Sequence, residues 1–130
     1  MRVIVIPADP SQPCTAVTVS GDAWHSAIGR LVGRPAERAV YDRDAVLWLN
    51  GDGAAALPPN RRATQYAFGH SAAAARDRTD PAAPPYHLHG TVVVTGAGPD
   101  EEAAPDVPGR LYALFGVERD DEPGGPVPLA

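Results

Sequence analysis

One unbroken run of β-branched residues constrains the fold of this chain more than any other feature. It lies within Gly90-Thr-Val-Val-Val-Thr-Gly96, where a glycine bounds each end and apolar side chains occupy successive positions. Because successive side chains of a strand point to opposite faces, such a segment is apolar on both faces and is typical of a central, buried strand. Val3–Ile6 has the same character. The sequence therefore predicts that both segments are strands of one sheet.

The other elements are expected to be short, because 15 prolines and 13 glycines in 130 residues favour turns over long helices. Strands are predicted over residues 2–6, 15–19, 38–41 and 45–49, with a brief strand over 54–57 after the Asn50-Gly-Asp-Gly53 turn. Helices are predicted over 22–32, 61–68 and 107–116, the last of them capped by Asp106. These elements define an α+β fold: a small single domain in which two or three short helices pack on one face of a mostly antiparallel sheet.

The predicted domain spans residues 1–116, and two segments differ from the rest in composition. Residues 70–86 are rich in Ala and Pro and are predicted to form a mobile loop. Residues 117–130 are acidic and rich in Pro and Gly, and are predicted to be a disordered tail that adds nothing to stability. Because no apolar run is long enough for a membrane span or a signal peptide, we expect a cytoplasmic protein without a membrane partner.

The net charge of −5 is unevenly distributed along the chain. From Pro99 onward there are eight acidic residues and two arginines, so the preceding residues are close to neutral. A nucleic-acid-binding domain is usually basic, so nucleic acid is not an expected partner.

Leu57-Pro-Pro-Asn-Arg-Arg-Ala-Thr64 is the candidate functional segment. Its asparagine is predicted to cap the following helix, whose free N–H groups and two adjacent arginines would together face an anion. The tyrosine that follows the segment is the candidate for stacking on a ring. The predicted ligand site consists of Asn60, Arg61, Arg62, Thr64 and Tyr66. The structural alternative is that the asparagine only caps the helix while the arginines are solvated or pair with acids such as Asp52.

His87-Leu-His89 supports a different function. In an extended chain both imidazoles lie on one face of the strand, as paired metal ligands do. A metal set would need further ligands such as His70 or Cys14, and two-histidine phosphoesterases need their motif twice. His87 and His89 are therefore secondary candidates, and no metal or cofactor is predicted. A catalytic role for the thiol of Cys14 is not expected.

Four stretches together resemble the family called domain of unknown function 3846. They are Val3-Ile-Val-Ile-Pro-Ala-Asp-Pro10, Leu57–Thr64, Gly90–Gly96 and Asp106-Val-Pro108, and they span most of residues 1–115. The resemblance implies a small α+β domain found in actinobacteria and their phages, with no established activity. It also implies an accessory role in a mobile element, including interference with host defence.

The function we expect is that of a non-catalytic binding protein of a phage or mobile element. It would counteract host defence by binding a small anionic, nucleotide-like ligand or a host protein. One alternative is a nucleotide phosphodiesterase or hydrolase that uses His87 and His89. Another is a protein–protein inhibitor that acts through the 70–86 loop. The sequence is compatible with a homo-oligomer.

Overall fold

The computed structural model describes residues 1–20, 22–39, 42, 44–69, 87–98 and 105–118, and within them five strands form one sheet. The strands are Arg2–Ile6 (β1), Thr15–Thr18 (β2), Ala36–Ala39 (β3), Ala45–Asn50 (β4) and Val92–Gly96 (β5). Their order across the sheet is β2-β1-β5-β4-β3, and every neighbouring pair is antiparallel. The helices are Trp24–Val32 (α1), Gly53–Ala56 (α2), Arg61–Gly69 (α3) and Arg110–Leu114 (α4). The α+β prediction is confirmed.

The central strand is the one that the β-branched run predicts. Val94 of β5 lies opposite Ile4 of β1 on one side and Leu47 of β4 on the other. All five residues of β5 are buried. Gly96 is required here, because a Cβ at this position would lie 2.4 Å from the backbone oxygen of Asp106. The two segments that are apolar on both faces are therefore strands of one sheet, as predicted.

Helices cover both faces of this sheet, so the prediction that they pack on one face is wrong. Val3 and Val93 belong to the apolar cluster that contains α1. Their neighbours Ile4 and Val94 belong to a second cluster, which contains residues of α3 and α4. The physical reason lies in the strands themselves, because alternating side chains put apolar groups on both faces and each face needs a cover.

The predicted strand over residues 54–57 is a short helix, α2. The turn signal before it is real, since the Asn50 side-chain oxygen accepts a hydrogen bond of 2.7 Å from the backbone N–H of Asp52. A strand that returned from this turn could not pair with β4, because β4 already lies between β3 and β5. The alanine-rich segment therefore takes the conformation that alanine favours.

The last helix begins at Arg110, later than predicted, because Asp106 does not cap it. The Asp106 carboxylate instead accepts a hydrogen bond of 2.8 Å from the backbone N–H of Arg2. Val117, which the sequence assigned to the tail, packs partly buried against the core. The predictions for residues 70–86 and for 119–130 lie outside the described residues. No helix among the residues described is long and apolar enough to cross a membrane.

Candidate functional site

Asn60 caps α3 as predicted, but its side chain also makes long-range hydrogen bonds that no local motif predicts. The side chain is fully buried, and its oxygen accepts a hydrogen bond of 3.0 Å from the N–H of Ala63. Its amide nitrogen donates to the carbonyl oxygens of Ile6 (2.8 Å) and Gly90 (2.9 Å). One side chain thus connects α3 to β1 and to the segment before β5. This geometry makes Asn60 part of the framework below the site.

Thr64 extends the same framework. Its hydroxyl donates to the carbonyl oxygen of Asn60 (2.6 Å) and accepts from the backbone N–H of Leu88 (2.9 Å). The side chain is buried. Both hydrogen-bonding roles of the hydroxyl are therefore used inside the protein, and the side chains of Asn60 and Thr64 are both buried.

The two adjacent arginines have different environments. Arg61 is exposed and makes no hydrogen bond or ion pair with another described residue. Arg62 is half-buried, and its Nη2 donates to the carbonyl oxygens of Pro7 (2.8 Å) and Asp9 (3.0 Å). Neither arginine pairs with Asp52 in the part of the chain that the structure covers. Backbone oxygens thus hold Arg62 in place, and its Nη1 and Nε atoms remain as hydrogen-bond donors.

Tyr66 of α3 is buried on the side of α3 that faces α4. Its ring meets the ring of Phe115 edge-on, with centroids 5.4 Å apart. Its hydroxyl donates to the carboxylate of Asp42 at 2.7 Å. Burial, and then the hydrogen bond to Asp42, raise the pKa of the phenol above its ordinary value. Tyr66 is 5% exposed, so little of its ring is accessible for stacking.

A groove runs between α3 and α4, with a volume of about 480 Å³. It is lined by Arg62, Gln65, Tyr66, Gly69, Leu114 and Phe115. The lining is mostly apolar, and a small-molecule site of this kind typically has a volume of about 300–1,000 Å³. Leu114 on its wall is 58% exposed, which is unusual for so large an apolar side chain in this protein. Two residues of the predicted site, Arg62 and Tyr66, therefore meet in a groove.

A cluster of charged groups lies beside the groove. Nη2 of Arg110 is 2.7 Å from the same Asp42 oxygen that accepts from Tyr66. The guanidinium also forks onto the carboxylate of Asp44. Hydrogen bonding to Asp44 is the main reason that the pKa of Arg110 is raised, so this arginine stays charged. No local pattern indicates this cluster, because Tyr66 is 24 positions and Arg110 is 68 positions from Asp42.

Neither histidine lines the groove. His87 is exposed, while His89 is half-buried with Nδ1 2.9 Å from the carbonyl oxygen of Leu57. A carbonyl only accepts, so this nitrogen carries the proton. Leu88 between them is buried, as an extended chain requires. The described residues contain no group of three metal-ligand side chains. Burial raises the pKa of the Cys14 thiol, which disfavours the nucleophilic thiolate.

Sequence reasoning missed Gln65, Leu114 and Phe115 as site residues. The predicted helix over 107–116 includes Leu114 and Phe115, whereas α4 has five residues and buries Leu111 and Tyr112. A short helix cannot bury four apolar side chains on one face. The apolar residues in excess of those that can be buried are the signal that indicates an exposed apolar wall.

Comparison with known proteins gives one match. A family model described as "Domain of unknown function (DUF3846)" matches residues 1–116, which include every strand and helix described above. No curated protein and no solved structure matches the chain.

Proposed function

We propose that this chain, which belongs to the DUF3846 family, is a non-catalytic binding protein that holds a small anionic, nucleotide-like ligand in the groove between α3 and α4. The observation that carries the proposal is the position of Arg62. This arginine lines an otherwise mostly apolar groove and is fixed there by two backbone carbonyl oxygens. A cation beside an apolar surface matches a ligand with a ring and an anionic group.

Arg62 is prepared for an anion before any ligand arrives. Its Nη2 is occupied by Pro7 and Asp9, which leaves Nη1 and Nε as donors. A side chain that is already ordered loses less conformational entropy on binding than a free one. Arg61, the exposed neighbour, supplies a second positive charge close to the same helix end. The pair can therefore make charge-assisted hydrogen bonds to phosphate or carboxylate oxygens.

The apolar part of the ligand would lie on Leu114 and Phe115. More than half of the Leu114 side chain contacts water, and covering it with a ring would release that water. A Cβ at Gly69, on the α3 side of the groove, would meet no described residue within 4 Å. Gln65 offers an amide that can both donate to and accept from polar atoms at the edge of a base.

Binding without catalysis is favoured by the titration behaviour of the groove. Among the described groove residues, Tyr66 is the titratable group besides arginine, and its pKa is raised away from neutral pH. Its hydroxyl already donates to Asp42. A general acid or base works best when its pKa is near the operating pH, which this phenol does not meet. The alternative of a hydrolase that uses His87 and His89 would need its substrate elsewhere.

The biological setting is part of the proposal and rests on the family resemblance. A small binding protein of a phage or mobile element would counteract host defence in the host cytoplasm by sequestering a nucleotide. A host protein that docks on the exposed Leu114 wall is the other ligand to consider.

The test is direct binding to linear and cyclic nucleotides, measured by isothermal titration calorimetry together with mass spectrometry of ligands retained after purification. Arg62→Ala and Leu114→Ser should each weaken the binding about tenfold, because each removes a contact of about 1–2 kcal/mol. Arg30→Ala is the matched control, since Arg30 is an exposed arginine on α1 at the other face of the sheet. Equal affinity in all three variants would place the ligand outside the groove.

The enzyme alternative is tested with stoichiometric protein in a single-turnover assay. The proposed binder should release no product from any nucleotide. Product that disappears in the His87→Ala, His89→Ala double variant would replace the binding proposal with hydrolysis.

A further inference from the structure

One carboxylate oxygen connects the two helices that form the walls of the groove. On the α3 side, the hydroxyl of Tyr66 donates to Oδ2 of Asp42 at 2.7 Å. On the α4 side, Nη2 of Arg110 donates to the same atom at 2.7 Å. Asp42 itself does not line the groove. The residue therefore bears on the shape of the groove without being part of its surface.

The contact with Asp42 is the more buried of the two that Arg110 makes. The Asp42 side chain is 12% exposed, whereas the side chain of Asp44 is 53% exposed. An ion pair near solvent is screened and contributes little, while a partly buried pair keeps more of its attraction. Asp42 also receives the Tyr66 hydroxyl, so removing its charge affects both helices at once.

Movement of Arg110 would be transmitted to the groove wall. Arg110 and Leu114 are four residues apart on α4, so their side chains lie on the same side of that helix. Phe115 follows directly and packs edge-on against Tyr66. A helix of five residues is too short to be stable by itself, so its position depends on its contacts with the rest of the protein. The Asp42 link is therefore well placed to fix the distance between α4 and α3.

We propose that Asp42 is the positioning residue of the groove: through Tyr66 and Arg110 its carboxylate holds α3 and α4 at the separation that the ligand requires, although it does not touch the ligand. This inference rests on the proposed function, because it assigns how the affinity of that same site is set. Ligand affinity then depends on a charge that lies behind the wall of the groove.

The first measurement needs no ligand. Nitroxide spin labels are placed at Gln65→Cys and Leu114→Cys, on opposite walls, in a Cys14→Ala background, and pulsed electron paramagnetic resonance gives the distribution of distances between them. Asp42→Asn should broaden and lengthen that distribution. Tyr66→Phe, which removes a single oxygen and keeps the ring in place, should do the same to a smaller extent. Asp44→Asn is the matched control and should leave the distribution close to that of the parent protein.

The second measurement uses a fluorescent anthraniloyl ADP as the probe, with the protein otherwise unlabelled. Asp42→Asn and Tyr66→Phe should each lower affinity about tenfold, as expected for coupled polar contacts. Combining them should add little, because both act through one oxygen. Arg110→Lys should show a partial loss, since an ammonium cannot fork onto two carboxylates.

The outcomes separate the two proposals. Unchanged distances in Asp42→Asn and Tyr66→Phe would overturn the positioning role, whether or not the probe binds. Changed distances with no binding of the probe by the parent protein would support the link between the helices and count against the proposed ligand. Additive losses of affinity in the double variant would show separate actions and would also overturn the inference.

Discussion

The two faces of the sheet are covered by different kinds of contact. On one face, α1 packs through Trp24, Ile28 and Val32 against apolar strand residues. On the other face, α3 and α4 also pack on apolar residues, but polar side chains such as Asn60 and Tyr66 tie them to the rest of the protein. The groove of about 480 Å³ lies on the second face.

This difference shows how a small protein keeps a groove open. Apolar contact has no preferred direction, and helices held by it alone settle to the close packing found in protein interiors. Hydrogen bonds have narrow distance and angle limits, so they can hold two helices apart at a fixed separation. The face with directional contacts is therefore the one that can retain space for a ligand.

The largest effect is expected from Asn60→Ala. The free energy of unfolding should fall by at least about 3 kcal/mol, because two buried carbonyl oxygens lose their donor and α3 loses its cap. Urea denaturation measures the change. Asn60→Ser is the control, because its hydroxyl keeps a capping oxygen. Relative to Asn60→Ala, it should regain only the contribution of the cap to the free energy of unfolding, about 1 kcal/mol. A loss in Asn60→Ala no larger than that share would mean that this face does not depend on the buried amide.

The second-largest effect is expected on the face of the sheet that α1 covers. Ile28→Ala should lower the free energy of unfolding by about 2–4 kcal/mol, because Ile28 is 1% exposed and its removal leaves a cavity. The affinity of the remaining folded protein for its ligand should not change, since Ile28 and the groove lie on opposite faces of the sheet. A parallel loss of affinity, measured by calorimetry, would show that the two faces are coupled.

A smaller effect is expected from Tyr66→Phe, of about 1 kcal/mol in the free energy of unfolding at neutral pH, for one lost hydrogen bond. The variant should also change the response to alkali. Burial raises the pKa of Tyr66 above its ordinary value of about 10. The folded state therefore keeps a proton that the unfolded state releases above that pH, and stability falls as the pH rises further.

The comparison between the parent protein and Tyr66→Phe isolates this contribution. Burial also raises the pKa of the Cys14 thiol, which gives a loss of the same sign that begins at a lower pH and is present in both proteins. The difference in stability between the two should shrink as the pH rises above about 10. A difference that stays constant up to the alkaline limit of the measurement would contradict the raised pKa.

The smallest effect on stability is expected at the groove itself. Leu114→Ala and Arg61→Ala should each change the free energy of unfolding by less than about 0.5 kcal/mol, because both side chains are exposed. Thermal melts of both variants test this. A clear drop in melting temperature for Leu114→Ala would mean that the exposed wall is part of the core rather than a surface for a ligand.

The sequence predicts those parts of the fold that depend on neighbouring residues. The β-branched run before Gly96 indicates a strand buried on both faces, and the cap at Asn60 marks the start of α3. It fails where a distant element decides the outcome. The turn at Asn50 is a good hairpin signal, yet the following segment is helical because both edges of β4 are already paired.

The candidate site is harder to predict than the fold, for the same reason. Arg62 and Tyr66 were identified from their types and spacing, and both line the groove. Whether an arginine faces a ligand or a backbone carbonyl depends on residues 53 to 55 positions away, and the acid that receives the Tyr66 hydroxyl lies 24 positions earlier. Local patterns carry no information about such partners, so the sequence does not distinguish Asn60 and Thr64 from Arg62.

The buried amide of Asn60 also bears on the time course of folding. It joins positions that are 54 and 30 residues away in the chain, so its hydrogen bonds close two long loops. Contacts of such long range are entropically expensive early in folding and are expected to form after the local elements. Weakening them should then accelerate unfolding more than it slows folding, which stopped-flow kinetics of Asn60→Ser can measure. The amide would thus set how long a folded molecule lasts rather than how quickly it is made.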